Sequence, residues 1–242
     1  MRRFARTFDY ARTLDHELSL CNALAQSACP VALLVGDLAT AERYVAMLLD
    51  HSMRHALPLW HTAGRCFEAV LRIRQGEIAT GLTALRADRA QISEARFETR
   101  YLPLLAVLAA TFCKAGDMVS GRETIDEALE RCRRNEELWY LPELLRINGE
   151  ILLQEGASEA PEGAEAQFLQ SLDLARRQEV LSWELRAATS LARLWHSQDR
   201  LDDGRAQLAS VYRRFTEGFG TADLRSAKQL LDDLGREAGR PD

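Results

Sequence analysis

The chain has 242 residues, of which 47% are hydrophobic and 28% are charged, and its net charge is −5. The hydrophobic fraction provides material for a packed core and excludes wholesale disorder. The negative charge disfavours a general nucleic-acid binder, because such proteins need a basic surface to displace counterions. Ala, Leu, Arg and Glu outnumber Val and Ile, and this composition favours helices over sheets.

Glycines mark a repeat along the chain. They recur at a spacing of 40 residues, at Gly36, Gly76, Gly116 and Gly156. Each follows an apolar helical run and can adopt the left-handed conformation that ends a helix. After the first three, an acidic residue comes at the start of the next helix, where the helix dipole favours negative charge. The pattern indicates a tandem array of helical units.

Small residues occupy a second fixed position in the repeat. They are Ala41, Gly81, Gly121, Ala164 and Gly204. The longer step between Gly121 and Ala164 is explained by a loop in the segment 156–163. A small side chain at a fixed position lets the neighbouring helix approach closely.

The predicted elements follow from this register, in chain order. First helices of successive pairs are predicted at residues 13–34, 58–75, 100–115, 138–155 and 180–197. Second helices are predicted at residues 38–55, 77–95, 117–134, 161–178 and 200–216, and a last helix at 222–236 caps the array. Pro103 and Pro142 are placed near helix starts, where a missing N–H is not needed. We interpret residues 1–12 as the remnant of an earlier repeat. The chain is therefore predicted to be an all-α solenoid of antiparallel helix pairs, in a single domain over residues 1–242.

The segment 182–195 shows the helical periodicity clearly. A core stripe at spacings of three and four is formed by Leu185, Ala188, Leu191, Ala192 and Trp195. Glu184 and Arg186 lie off this stripe.

Five cysteines lie within apolar helical patterns, and none forms a C-x-x-C pair. They are Cys21, Cys29, Cys66, Cys113 and Cys132. We interpret them as buried, reduced thiols that pack as small hydrophobic groups.

Two histidines, His51 and His55, are spaced i, i+4 on one predicted helix face, with His61 close by in the sequence. Imidazoles at this spacing could share a zinc ion. The zinc-protease motif, however, needs Glu directly after the first His, and this chain has Ser52 there. The neighbouring sequence shows no third ligand, so we predict no metal site.

No phosphate-loop spacing and no nucleophile-elbow motif occurs in the sequence. We therefore predict no catalytic residues, no cofactor and a non-enzymatic protein. The segment Tyr101–Cys113 is interpreted as the longest apolar stretch, and it is shorter than the roughly 20 residues that span a bilayer. The first residues carry charge without an apolar signal-peptide core. We expect a cytoplasmic protein without membrane contact.

Several segments carry a family resemblance. Residues 139–153 read Trp-Tyr-Leu-Pro-Glu-Leu-Leu-Arg-Ile-Asn-Gly-Glu-Ile-Leu-Leu, and matching segments follow at 164–168, 172–178, 182–194 and 211–224. They resemble the C-terminal tetratricopeptide-like region of bacterial multidomain signalling proteins. In that family, a class III nucleotide cyclase domain or a winged-helix DNA-binding domain precedes a STAND-type ATPase module, and a helical-repeat array follows. The resemblance is strong over 135–235 and diffuse before that.

One departure from the family pattern is Gly218-Phe-Gly-Thr221, where the family usually has Gly-Phe-Asp-Thr. The lost carboxylate could weaken the cap of the last helix. No phosphate loop, cyclase motif or winged helix precedes the array, so the catalytic and DNA-binding activities of the family do not carry over. For so short a leading segment we expect a truncated gene, a split gene or a misassigned start.

The resemblance implies a tetratricopeptide-like fold and a sensor or interaction arm that regulates attached or associated domains. The expected partners are an ATPase, a cyclase or a winged-helix regulator. Our leading hypothesis is a non-enzymatic protein-interaction scaffold, and the alternative is a regulatory domain that senses a small ligand. The candidate interaction residues lie near first-helix starts, at Trp60, His61, Trp139, Tyr140, Glu143 and Arg146.

Overall fold

The computed structural model describes residues 16–89 and 98–237. Over these ranges the chain is made of helices joined by short turns and contains no strand. The predicted all-α class is confirmed. The chain forms two compact units, Met1–Thr111 and Phe112–Asp242. The proposed repeat remnant at residues 1–12 lies outside the described residues, and the single domain stays a prediction.

The first unit begins with a long helical segment and continues as helix pairs. Its elements are α1 (Glu17–Ala23), a π-helical turn (Leu24–Ala28), α2 (Cys29–Val35), α3 (Leu38–Arg54), α4 (Pro58–Gln75) and α5 (Ile78–Arg89). Helix α6 (Glu98–Lys114) crosses the boundary between the units. Helix α4 packs against both α3 and α5. This sequential packing is what a stacked array requires, because each helix covers the apolar face of the next.

The segment Glu17–Val35 is helical throughout but changes its hydrogen-bonding pattern in the middle. Pro30 has no N–H, and its ring crowds the carbonyl of Gln26 four residues earlier. The π-helical turn lies directly before this proline, where a wider turn accommodates the crowding. The sequence predicted an uninterrupted helix here. A π-helical turn adds one residue to a helical turn, and the periodicity of apolar residues does not reveal so small a change.

The same segment is the one candidate membrane span among the described residues. It has 19 residues with a mean hydropathy of 1.6, and by length and composition alone it is long and apolar enough to cross a membrane. It is longer than the stretch Tyr101–Cys113, so the sequence-based ranking of apolar stretches was wrong. In the structure it packs against α3, with Cys21, Leu24 and Cys29 fully buried. A buried core helix and a signal sequence near the N-terminus both pass the same test, so the absence of membrane contact stays a prediction.

The second unit continues the pairing. Its elements are α7 (Met118–Arg134), a 3-10 turn (Leu138–Tyr140), α8 (Leu141–Glu155), α9 (Ala160–Arg177), α10 (Leu181–Ser197), α11 (Leu201–Tyr212) and α12 (Ala222–Glu237). Each helix packs against the next, and in addition α8 contacts α10 and α10 contacts α12. Helices α8, α10 and α12 therefore form one continuous surface, which we call the first-helix face. Helix α11 ends at Tyr212 rather than at residue 216 as predicted.

The predicted glycine turns are confirmed. The backbone φ angles of Gly36, Gly76, Gly116 and Gly156 are 74°, 98°, 86° and 69°, all in the left-handed region. The acidic residues that follow also act as predicted at two helix starts. The carboxylate of Asp37 accepts a hydrogen bond from Thr40 N, and that of Asp117 accepts one from Ser120 N, each at 3.1 Å.

Two local features differ from the sequence-based expectation. The second helices α3, α7 and α9 are followed by non-glycine residues with positive φ, namely Ala56, Glu136 and Glu179. No glycine marks these turns, so a search for glycines missed them. Pro103 lies inside α6, which is already helical at Glu98, whereas Pro142 occupies the first turn of α8 as predicted.

The small residues at the fixed repeat position mark close contacts between helices. Ala41 and Ala164 are fully buried. A methyl group at Gly81 would lie 2.8 Å from the carbonyl oxygen of Ala69, and one at Gly204 would lie 3.2 Å from that of Ala192. At Gly81 the side-chain atom Ile73 Cγ1 would also lie 2.6 Å away, and the backbone atoms of the paired helix do not move aside. The packing reason for the small residues is therefore confirmed at these positions.

We expect Gly81→Ala to lower the free energy of unfolding by about 1 to 2 kcal/mol. The overpacking at the Ala69 carbonyl exceeds the gain of roughly 1 kcal/mol in helix propensity. Gly163→Ala is the matched control, because the nearest atom to its new methyl group, Leu152 Cδ1, lies at 3.5 Å. That variant should be neutral or more stable by up to about 1 kcal/mol. Urea denaturation measures both, and equal effects would contradict the packing argument.

Candidate functional site

The predicted interaction residues are divided between the two units. Trp60 and His61 lie in the first turn of α4 and are partly exposed, and His61 Nδ1 is 3.4 Å from Ser52 Oγ. The other four lie together in the second unit, in the 3-10 turn and the first turns of α8. The structure brings these four into one connected site on the first-helix face.

Glu143 is the centre of that site, and only 4% of its side chain is exposed. Arg146 donates two hydrogen bonds to it, from Nε to Oε2 at 2.8 Å and from Nη2 to Oε1 at 2.9 Å. Arg186 Nη1 donates a third, to Oε1 at 3.1 Å. Burial by itself would raise the pKa of Glu143, but the two guanidinium groups outweigh it and hold the pKa below its ordinary value. Glu143 is therefore a charged carboxylate at neutral pH.

The ion pairs extend across all three helices of the first-helix face. Arg146 also contacts Glu150, whose Oε1 accepts a hydrogen bond from Ser190 Oγ at 3.0 Å. Arg186 Nε donates to Asp223 Oδ2 at 2.7 Å. We call this set the Glu143 network, and its members are Glu143, Arg146, Glu150, Arg186, Ser190 and Asp223. Two guanidinium groups face three carboxylates, which gives a formal charge of −1.

The network follows the repeat register. Residues 143, 183 and 223 are 40 apart and place Glu, Trp and Asp at equivalent positions of α8, α10 and α12. Arg146 and Arg186 are also 40 apart. Arg186 bridges the carboxylates of the two flanking helices, and its Cζ lies 5.1 Å from the ring centroid of Trp183 beneath it. Stacking of the repeats thus places a carboxylate, an aromatic ring and a second carboxylate side by side on the three helices.

A row of contacting aromatic rings runs from the buried Trp183 to the exposed surface. The edge of Trp183 meets Tyr140 at a centroid distance of 5.3 Å, and Tyr140 in turn contacts Trp139 at 5.0 Å. Trp183 and Tyr140 are buried, whereas Trp139 is 40% exposed. We call Trp139, Tyr140 and Trp183 the aromatic row. In this row the exposed ring of Trp139 packs on the buried ring of Tyr140, which in turn packs on Trp183.

Of the two residues that the sequence placed off the core stripe, Glu184 is buried in the structure and Arg186 is partly buried. Glu184 is 2% exposed and pairs with Arg176 at 3.0 Å and with Arg214, while Arg186 lies within the Glu143 network. Helix α10 contacts α8, α9, α11 and α12, so little of its surface is left for solvent. The predicted core stripe itself is confirmed, because all five of its residues are buried.

Sequence reasoning missed Arg186, Ser190 and Asp223 as members of the site. A usable signal existed, since Arg186 lies one repeat after the candidate Arg146. The same register applies to the other two, since Ser190 lies one repeat after Glu150 and Asp223 lies two repeats after the candidate Glu143.

All five cysteines are free and buried, as predicted. Burial raises the pKa of the Cys29 and Cys66 thiols to about 12 and that of the Cys21 and Cys132 thiols to about 11. The thiolate is the nucleophilic form. These thiols therefore stay protonated at neutral pH and act as packing groups.

A cavity of about 450 Å³ lies beside α12. Its walls include the rings of Tyr212 and Phe219, the cationic side chains of Arg225, Lys228 and Arg236, and the carboxylate of Asp232, which pairs with Lys228. None of the six residues predicted from the sequence lines it. The cavity is a second concave surface in this unit with aromatic and basic walls.

Comparison with known proteins bears on the fold. No protein-family model matches the chain, and no match was found among curated proteins. The apo form of RapI superposes with a TM-score of 0.57 at 12% identity, over 98% of this chain and 70% of RapI. BtubC (BKLC) from P. vanneervenii superposes with a TM-score of 0.54 at 16% identity, over 86% of this chain and 94% of BtubC. Both are tetratricopeptide-like helical-repeat proteins, and at these identities the similarity shows the fold alone. The predicted solenoid of helix pairs is confirmed.

We expect Glu143→Gln to lower the free energy of unfolding by about 3 kcal/mol or more, because it leaves two largely buried guanidinium groups short of negative charge. Asp173→Asn is the matched control. Its pair with Arg177, at 2.8 Å, is exposed on one helix, so the change should stay within about 0.5 kcal/mol. Urea denaturation at neutral pH measures the stability of both variants, and a small effect of Glu143→Gln would show that the network is not needed for stability.

The same carboxylate predicts a pH dependence. The pKa of Glu143 is lower in the folded than in the unfolded chain, so its stabilising effect is present above the unfolded pKa of about 4.3. It is lost as the pH falls from there through the folded pKa. Unfolding curves below pH 5 should therefore show a shallower loss of stability with pH in Glu143→Gln than in the unchanged chain.

The native thiols should resist a thiol-specific reagent such as DTNB at pH 8. Because the five thiols are buried and protonated in the folded chain, we expect less than one equivalent of thiol per chain to react before unfolding. In denaturant all five should react. Absorbance of the released thiolate measures this. Rapid reaction of one thiol in the native protein would identify an accessible, activated cysteine.

Proposed function

We propose that this chain is a non-enzymatic scaffold that binds a protein partner. It would act as the regulatory arm of a bacterial signalling ATPase, cyclase or winged-helix regulator, either attached to it or associated with it. The observation that supports this proposal best is the exposed Trp139 on the first-helix face, supported from beneath by the aromatic row and the Glu143 network.

Trp139 has the properties of a binding anchor. Tryptophan is enriched among residues that carry most of the binding energy at interfaces. Its neighbour Leu138 is also exposed, so the two form an apolar patch at the start of α8. Tyr140 and Trp183 hold the patch against a buried ion network, so little side-chain freedom remains to be lost on binding.

Charge adds a preference for a kind of partner. Glu150 and Asp223 are the partly exposed ends of the Glu143 network, and the network as a whole is negative. A partner surface that offers an apolar pocket flanked by Lys or Arg would be complementary to it. This complementarity affects the choice of partner and the rate of association more than the affinity.

The chemistry of the site favours binding over catalysis. Glu143 is neutralised by two guanidinium groups, and the five thiols are protonated. Neither a free general base nor an activated nucleophile comes from these groups at neutral pH.

Binding should be measured by isothermal titration calorimetry against each bacterial ATPase, cyclase or winged-helix protein found to be encoded beside this chain's gene. We expect Trp139→Ala to weaken it at least about 30-fold, which corresponds to a hot-spot loss of about 2 kcal/mol. The thermal midpoint should change little, since the ring is 40% exposed.

Leu169→Ala is the matched control for this experiment. Leu169 is 43% exposed but belongs to α9, outside the first-helix face, and its truncation should leave the affinity unchanged. The proposal is refuted if none of these proteins binds, or if Leu169→Ala and Trp139→Ala weaken binding equally.

A second candidate is a regulatory domain that senses a small ligand, and the cavity beside α12 favours it. Its walls carry aromatic rings and three cationic side chains against the single carboxylate of Asp232, and this balance suits a compact anionic molecule. Thermal stabilisation by an anionic metabolite, together with no protein binding, would support this candidate over the scaffold.

A further inference from the structure

Three potential metal ligands converge in the first unit. His51 and His55 lie one turn apart on α3, and their ring centroids are 4.5 Å apart. Glu17, the first residue of α1, places Oε2 2.7 Å from His51 Nε2 and 3.2 Å from His55 Nε2. The sequence analysis found no third ligand for the two histidines. The structure supplies one from a helix that is 34 residues earlier in the chain.

The contact between Glu17 and His51 is close without being a hydrogen bond. His51 Nε2 is buried, and within residues 16–89 and 98–237 no atom is aligned to form a hydrogen bond with it. A buried polar atom that lacks a hydrogen bond costs about 1 to 3 kcal/mol. His51 Nε2 lies within 4.8 Å of ligand atoms of Glu17 and His55, and a cation bound among the three would satisfy it.

We propose that Glu17, His51 and His55 bind one zinc ion. Zinc bonds of about 2.0 to 2.2 Å to nitrogen and oxygen separate the ligand atoms of a tetrahedral site by roughly 3.3 Å. The three ligand atoms here lie within 4.8 Å of one another, so small side-chain rotations reach that geometry. Two imidazole nitrogens exclude Mg²⁺ and Ca²⁺ as the preferred ion, since these take oxygen ligands.

The site has three protein ligands and an open side. The side chains of His55 and Glu17 are each about one-third or more exposed, so water or another molecule can occupy the fourth position. The ion would join α1 to α3 and thereby fix the packing of these two helices. Zinc binding would then stabilise the folded first unit, because the unfolded chain does not hold these ligands together.

A second histidine–glutamate pair provides an internal control. His196 Nε2 lies 2.7 Å from Glu237 Oε2 in the second unit, the same distance as between His51 and Glu17. It involves a single imidazole and belongs to no three-ligand group among the described residues. It therefore represents an ordinary ion pair in the same chain.

The test uses the untagged, full-length chain, freed of metal and titrated with ZnCl₂ by calorimetry. We expect one zinc ion per chain and a zinc-dependent rise in the thermal midpoint. His51→Gln and His55→Gln should each weaken binding at least about 100-fold, since loss of an outer-shell partner alone costs 10- to 100-fold. His196→Gln should bind zinc like the unchanged chain.

A spectroscopic readout guards against folding defects. Co²⁺ in place of zinc should give visible absorption bands that change in Glu17→Gln, while circular dichroism shows that the helices persist. If His51→Gln fails to fold, the more exposed His55→Gln carries the test. Uptake below one zinc per chain, or equal weakening by His196→Gln and His55→Gln, overturns the proposal. Either outcome leaves partner binding through Trp139 unaffected, because that surface belongs to the other unit.

Discussion

Each helix of this chain has an apolar face that it cannot bury by itself, and the neighbouring helix has to cover it. Helix α10 shows the consequence most fully, because α8, α9, α11 and α12 all pack on it. Close approach depends on small residues at one position of the pair, as at Gly81 and Gly204, where backbone atoms of the partner helix occupy the space of a side chain. The spacing of about 40 residues is the length of chain needed to supply one helix, its partner and two turns.

This stacking also explains why charges are buried at the centre of the second unit. Equivalent positions of successive first helices lie side by side, so a residue at position 143 meets those at 183 and 223. Taking a carboxylate out of water is unfavourable unless it is paired and hydrogen-bonded. Glu143 meets that condition with three hydrogen bonds from two arginines, one on its own helix and one on the next. The charge pairs thus connect α8, α10 and α12, which already pack against one another.

The two polar sites of the molecule differ in how completely they are satisfied. In the Glu143 network both carboxylate oxygens of the central residue are occupied by protein donors, so the site supports a binding surface and does not itself demand a ligand. In the first unit, His51 Nε2 is buried beside Glu17 and lacks a hydrogen bond. That difference is the physical reason for proposing a protein partner at one site and a metal ion at the other.

The sequence by itself determined the features that depend on local rules. Glycines with positive φ, aspartate caps and apolar periodicity fixed the helical class, the register and most helix limits, because each acts within a turn or two of its own position. It also placed Trp139, Tyr140, Glu143 and Arg146 at one helix start, and His51 and His55 on one helix face. Only the tertiary structure decided that Arg186 and Asp223 join the first group and that Glu17 joins the second. Helical periodicity tells which residues share a face, but the helix that covers that face is chosen by packing between segments far apart in the chain.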